Sequence, residues 1–251
     1  MNQPNVLYWI MGSGFCMSAI ALVGSLTLIV SKETLDRSIL PLVSFAAGSM
    51  LTTSLFIFLP ESIEHLGNET PVFISFVSGF LMFFVLEQFL HWHHCHHSSG
   101  KHRPLTYLVL ISDGIHNFIA GLAVASAFMI DIRVGITAWI AEALHEVPQE
   151  LGDFGILIHG GWERKRALIF NFISALTFPF AGLVVYFLSQ SINVSYLLPF
   201  AAGNFLYIAA VDLIPEIKNH ASLKTNMSHF IFFLLGMALL FSFKMWMGHQ
   251  H

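Results

Sequence analysis

The chain has 251 residues, of which 55% are hydrophobic and only 10% charged, far below the roughly 25% charged content of ordinary soluble domains. With a mean hydropathy of +0.71, this balance excludes a water-soluble globular domain and leaves a membrane protein. A formal net charge of -4 with no basic patch interleaved with aromatics excludes a nucleic-acid binder. Two cysteines, Cys16 in an apolar segment and Cys95 in a histidine-rich one, do not make a disulfide framework.

Apolar stretches of about 20 residues, the length a helix needs to cross a bilayer, recur along nearly the whole chain. In order they fall at 7–30, 39–60, 71–91, 105–130, 134–159, 167–189, 195–215 and 228–247. The first is preceded by no basic region ("MNQPNVLYWI") and is too long for a signal-peptide core, so it is read as a retained span. The loops between spans are short and leave no room for a soluble domain. Orientation follows from lysine and arginine, which are in excess in cytoplasmic loops. With the N-terminus outside, Lys32, Arg37, Lys101, Arg103, Arg164, Lys165, Arg166, Lys218 and Lys224 face inward, and only Arg133 and Lys244 face outward. The expectation is an all-α membrane protein, a bundle of eight transmembrane helices with N- and C-termini outside. Residues 1–251 form a single polytopic membrane domain, with a His-rich cytoplasmic loop at 91–104.

The polar residues separate a lining from a wall. Spans one, three and eight are nearly all apolar, with Glu87 among the few exceptions, and read as scaffold. The second span ends in "LPESIEH", where Glu61, Glu64 and His65 make a plausible mouth that concentrates cations. After the third span, "HWHHCHHSSGKH" carries His91, His93, His94, His96, His97 and His102, a tract whose composition suits metal binding. The fourth span contains "SDGIHNFIAG", which puts Asp113, His116 and Asn117 on one helical face at i, i+3 and i+4. In the fifth span "HEVPQELGD" extends a stripe formed by Glu142, His145, Glu146, Gln149, Glu150 and Asp153. The seventh span ends with Asp212 and Glu216.

Ionisable residues inside a span are costly, and by default they mark function. Any one intramembrane histidine is as often structural as ligating, but six polar residues on one stripe, opposite a second stripe with its own histidine, invite a shared site. Imidazole beside carboxylate and amide oxygens suits zinc, iron or manganese, whereas all-oxygen sets favour magnesium or calcium. Thiolates are absent from the stripe, consistent with a site that must release its ion. Pro148 removes the donor for the Leu144 carbonyl and is expected to bend the helix. The match of "HEVPQ" to a metalloprotease HExxH is superficial, since its fifth position is Gln149 and Pro148 interrupts it. Gly48, Gly79, Gly121 and Gly203 read as helix-packing positions.

On these motifs the chain resembles the ZIP (Zrt/Irt-like) family of divalent-metal transporters over its whole length, and "GNFLYIAAVDLIPEI" of the seventh span, with Asn204, also looks like the family's segment. The resemblance implies a metal site midway through the membrane between the fourth and fifth spans, often holding two ions. Carried over by position, His116, Asn117, His145, Glu146 and Gln149 are its ligands, with Glu150 a ligand or an exit-path group. The chain departs from the family at Ala120, where many relatives have a bridging acid, and at Gln149, where they have a carboxylate or histidine. Two dications repel strongly without an anion between them. One well-occupied ion is therefore expected, with Asp113 partly replacing the lost charge.

The function this implies is transport of divalent ions into the cytoplasm. Zinc (Zn2+) is the expected substrate, and iron and manganese are also compatible. Ions would enter near Glu61 and His65 and leave toward Asp212, Glu216 and the histidine tract; Asp113, Glu142 and Asp153 are further pathway groups. No enzyme is expected. The competing readings are a membrane metal sensor and an intramembrane zinc-dependent hydrolase. The partners are metal ions and the lipid bilayer, with room for a homodimer, and the compact chain suggests a bacterial inner membrane.

Overall fold

A computed structural model describes residues 3–28, 32–95, 103–218 and 222–248, and these contain helices and turns but no strand. Helix α1 (Gln3–Ile20) tightens into a 3-10 stretch, Ala21–Leu28. Helix α2 (Lys32–Thr52) widens into a π-helical stretch, Thr53–Phe58, and continues as α3 (Leu59–Leu66). Then come α4 (Thr70–Cys95), α5 (Arg103–Ile130) and α6 (Ile132–His159). Helices α7 (Arg164–Ala175) and α8 (Thr177–Leu188) form one broken rod. Helix α9 (Leu197–Tyr207) passes through a second π-helical stretch, Ile208–Leu213, into α10 (Ile214–Ile217), and α11 (Leu223–Gly248) completes the set.

Seven of these rods are long and apolar enough to cross a membrane: Asn5–Leu26, Arg37–Leu66, Thr70–Gln88, Val109–Ile130, Arg164–Leu188, Val194–Ile217 and Leu223–Met245. Each matches one expected span. The remaining expectation, 134–159, falls on α6, whose 28 residues reach about 42 Å. Length is therefore not what α6 lacks. Its apolarity is broken by Glu142, Glu146, Glu150 and Asp153. Pro148 sits inside this helix without ending it.

Helices α4 and α11 form the outer walls, and only 17% of each span is buried. Exposed Phe73, Ile74, Val77, Leu81 and Val85 on α4, with Phe230, Ile231, Leu235 and Phe241 on α11, give surfaces suited to lipid. Each wall is fastened to an inner helix by paired glycines. A Cβ on Gly48 of α2 would strike the Phe233 carbonyl of α11, and one on Gly236 would strike the Phe45 carbonyl of α2. The same reciprocal crossing joins α4 to α9, where Gly79 faces the Phe200 carbonyl and Gly203 the Phe76 carbonyl. Gly121 of α5 lies against the Phe178 carbonyl of α8 in the same way, so all four glycines read from the sequence are contact positions.

These crossings expose an internal repeat. Phe45-Ala46-Ala47-Gly48 recurs as Phe200-Ala201-Ala202-Gly203, Leu51 as Leu206, and Pro60-Glu61 as Pro215-Glu216; the two π-helical stretches fall in the same register. Phe73-Ile74, Phe76 and Gly79 of α4 recur at the same spacing as Phe230-Ile231, Phe233 and Gly236 of α11. The two inner helices meet directly, Ser54 Oγ donating to the Ala202 carbonyl at 2.6 Å.

Against this framework lies a second group, in which α5 packs on α8 and α6, and α1 on α8. Two bonds hold α1 there: Trp139 Nε1 donates to the Ser13 carbonyl and Ser18 Oγ to the Ala175 carbonyl, both at 2.9 Å. The histidine tract expected as a loop is helical in its first half, because α4 runs on through His91, His93 and His94 to Cys95. The run "FFVLEQFLHWHHC" contains neither Gly nor Pro to stop it. His96, His97 and His102 lie outside the described residues.

Candidate metal site

The polar stripes of α5 and α6 face each other in the interior. His116 Nε2 lies 3.3 Å from Glu142 Oε1 and 3.6 Å from Glu146 Oε2, yet none of these three atoms has a hydrogen-bond partner. Those separations have a simple meaning. Ligands at about 2.0–2.1 Å around a tetrahedral zinc ion stand about 3.3 Å apart. The three residues thus converge on a point at ligand spacing. Glu142, placed in the sequence reading among additional pathway groups, is a full member of this cluster.

A second cluster, Asp113, Glu146 and Glu150, lies one turn further along both helices, and Glu146 belongs to both. The four carboxylates involved are almost fully buried, from 0% exposure for Glu150 to 2% for Asp113. Unpaired charge at that depth is unfavourable by several kcal/mol per group, so the arrangement needs cations or protons. The expectation of a single ion rested on Ala120 and Gln149; Ala120 is buried, and Glu146 is a carboxylate common to both clusters.

Asn117 acts as an organiser. Its Nδ2 donates to Glu146 Oε1 at 3.1 Å and to Asp113 Oδ1 at 2.9 Å, leaving Oδ1 buried and without a partner. His145 is buried with both ring nitrogens unpartnered, its ring centroid 5.4 Å from that of His116; it stands beside the first cluster rather than within it. Gln149 is half-buried and makes a long contact, 3.5 Å from its Nε2 to Asp113 Oδ1.

A third helix closes the site, and the sequence reading did not include it. From α7, Asn171 Nδ2 donates to Glu150 Oε2 and the Ser174 hydroxyl donates to Asp113 Oδ2. These bonds hold each carboxylate by one oxygen and leave Glu150 Oε1 unpartnered. The available signal was an asparagine and a serine at i and i+3 in an otherwise apolar span.

Beyond the second cluster a cavity of about 240 Å³ is lined by Asp113, His116, Gln149, Asp153, Asp212 and Glu87 among others. Asp153 and Asp212, expected on the pathway, are therefore brought to the site. So is Glu87 of α4, read from the sequence as an exception in a scaffold, which accepts a hydrogen bond from the Tyr207 hydroxyl. Glu216 is exposed at the end of α10 and joins neither cluster. Glu61 and His65 pair with each other on α3, Oε1 to Nε2 at 3.1 Å, and belong to neither cluster.

A family model described as "ZIP Zinc transporter" matches residues 93–244, well over half of the chain. The chain belongs to the ZIP family. It is 37% identical over 142 residues to the zinc transporter zipt-7.2 of Caenorhabditis elegans, covering 54% of this chain and 30% of that protein. To IAA-alanine resistance protein 1 of Arabidopsis thaliana it is 42% identical over 140 residues, 53% of this chain and 29% of that protein. To zinc transporter ZIP4 of Mus musculus it is 43% identical over 122 residues, 47% of this chain and 18% of that protein. The matched region is thus less than a third of each relative's length. ZIP proteins are transporters and not enzymes, which removes the hydrolase alternative. ZIP membership and seven apolar rods make the chain an integral membrane protein. These relatives are animal and plant proteins and lend no support to a bacterial inner membrane.

Proposed function

We propose that this chain carries divalent transition-metal ions across a membrane, with zinc as its principal substrate and iron and manganese also compatible, through the buried site between α5 and α6. One observation carries this reading: His116, Glu142 and Glu146 present unpartnered ligand atoms at the spacing expected around one metal ion, inside a helical bundle with apolar walls. The ligands are His116, Asn117, Glu142 and Glu146 for the first position and Asp113, Glu146 and Glu150 for the second. His145 lies close enough to exchange into the first. Four carboxylates match the charge of two dications, so two adjacent ions are proposed, with Glu146 as their bridge.

In the proposed topology α6 is the fifth of eight spans in a single polytopic domain. Its polar stripe is shielded by α5 and α7 instead of by its own composition. Both termini lie outside, as the lysine and arginine distribution favours. Ions pass inward past Glu61 and His65, through the two clusters, and leave by the cavity at Asp153 and Asp212 toward the histidine tract. Alternating access is a rigid-body shift of the α5, α6 and α7 group against the glycine-fastened framework.

The test is zinc uptake into liposomes holding the purified protein and an internal zinc-sensitive dye, beside His116→Ala and Glu146→Gln variants. Filling that depends on the protein and is lost in both variants supports transport through this site. Zinc binding by the wild type without any filling overturns transport and turns attention to a sensor.

A further inference from the structure

The internal repeat pairs two residues of opposite charge. Glu87 stands eight residues beyond Gly79 on α4, and Lys244 eight residues beyond Gly236 on α11, both on the walls. Each is therefore about 12 Å along the helix from its crossing. In the proposed eight-span topology the second and seventh spans run in opposite directions, so the two stations lie at opposite ends of the framework. At one end Glu87 faces the cavity shared with His116 and Asp212. At the other, the Lys244 ammonium donates to the Phe56 carbonyl, inside the π-helical stretch that precedes Glu61. Tyr207, the partner of Glu87, corresponds in the repeat to Thr52, which is buried with its hydroxyl oxygen unpartnered. Lys244 thus reaches a backbone carbonyl where its counterpart reaches a side chain. Helix α6 packs against α2, the π-helical stretch and α11, which brings this end of the framework against the helix that carries the ligands.

We propose that Lys244 is a gating charge at the Glu61 end of the pathway, a fixed cation that holds dications back there and makes the two mouths unequal. This rests on the transport reading above. A unit charge about 10 Å from a dication, at screening between surface and water, changes the local ion concentration roughly threefold to tenfold. Lys244 therefore raises the zinc concentration needed to half-saturate transport from its own side, while Glu87 has the opposite sign at the other mouth.

The first measurement is initial zinc uptake by cells expressing the chain, normalised to surface protein, across external zinc concentrations. Lys244→Gln lowers the half-saturating concentration roughly threefold to tenfold, and Lys244→Arg retains the wild-type value. A purely structural tether predicts instead a fall in maximal rate or surface amount with half-saturation unchanged. That outcome, or an Arg variant that behaves like the Gln variant, overturns the proposal and leaves transport standing. A sign test that keeps Lys244 serves if the Gln variant fails to fold. With the attracting carboxylates at the same mouth neutralised by Glu61→Gln and Glu64→Gln, inert salt screens the remaining repulsion, so half-saturating zinc falls as salt rises; a rise overturns the proposal. A second readout is independent of transport. A cysteine replacing Ile63, in a background with Cys16→Ser and Cys95→Ser, is labelled with cationic and anionic thiol reagents. Lys244→Gln raises the cationic-to-anionic rate ratio roughly threefold, and an unchanged ratio overturns the proposal. Absence of zinc uptake by the wild type defeats the transport reading, and the labelling ratio then decides the role of Lys244.

Discussion

The glycine-fastened framework and the polar group of α5, α6 and α7 are built by opposite rules. In the framework, backbone meets backbone: Gly48, Gly236, Gly79 and Gly203 each sit against a carbonyl, with no space for a side chain. In the polar group, side chains carry the contacts, and many buried donors and acceptors remain unpaired. Shape fixes the first region. The second leaves bonding capacity unused among its own side chains. A protein selected for stability alone would fill such a site with apolar residues, since a buried ionic cluster contributes little or negative net stability.

The difference is sharpest if substitutions in the two regions have unrelated effects. Gly203→Val is expected to have the largest, because its new atoms fall on the Phe76 backbone, which cannot yield. Loss of at least ~3 kcal/mol, read as a collapse in folded yield and melting temperature in detergent, is expected. A variant that folds normally would remove the contrast. His116→Ala should do the reverse, lowering zinc uptake about a hundredfold while leaving the melting temperature of the metal-free protein the same or higher. If it unfolds the protein, the site is a structural network. Asn171→Leu and Ser174→Ala release carboxylates without removing one, so a weakening of zinc binding of about tenfold is expected, measured by competition with a chelating dye. No change would place α7 outside the site. Protons compete with metal for imidazole and carboxylate, so uptake should decline as external pH falls through the histidine range near 6.5. A steady rise with acidification would point to proton-coupled symport. The smallest effect belongs to Glu61→Gln, whose exposed pair with His65 is worth about 0.2–1 kcal/mol at most. Less than a fivefold change in uptake is expected.

Much of this was legible in the sequence, for identifiable reasons. Helix positions follow from runs of apolar residues, and the facing stripes follow from 3.6-residue periodicity, so Asp113, His116, Asn117 and the α6 residues were found together. What escaped depends on which helix lies beside which. Asn171 and Ser174 matter because α7 packs against α5 and α6, and no periodicity within α7 reveals that. Glu142 differs from Asp153 only in depth, and depth is set by the neighbouring helices. Glu87 read as a blemish on a wall because its cavity is made by other elements. The repeat was present in the letters, but its two copies are separated by the whole polar group, and three intervening spans conceal it.

In the proposed two-position site, Glu146 has a consequence for the temperature dependence of transport. One of its oxygens faces His116 at 3.6 Å, and the residue also belongs to the Asp113 and Glu150 cluster. An ion moving from the first position to the second can keep a bond to this carboxylate throughout, so it is never stripped of all its ligands between sites. That step therefore carries a small activation enthalpy. The steep part of an Arrhenius plot belongs to the motion of helices.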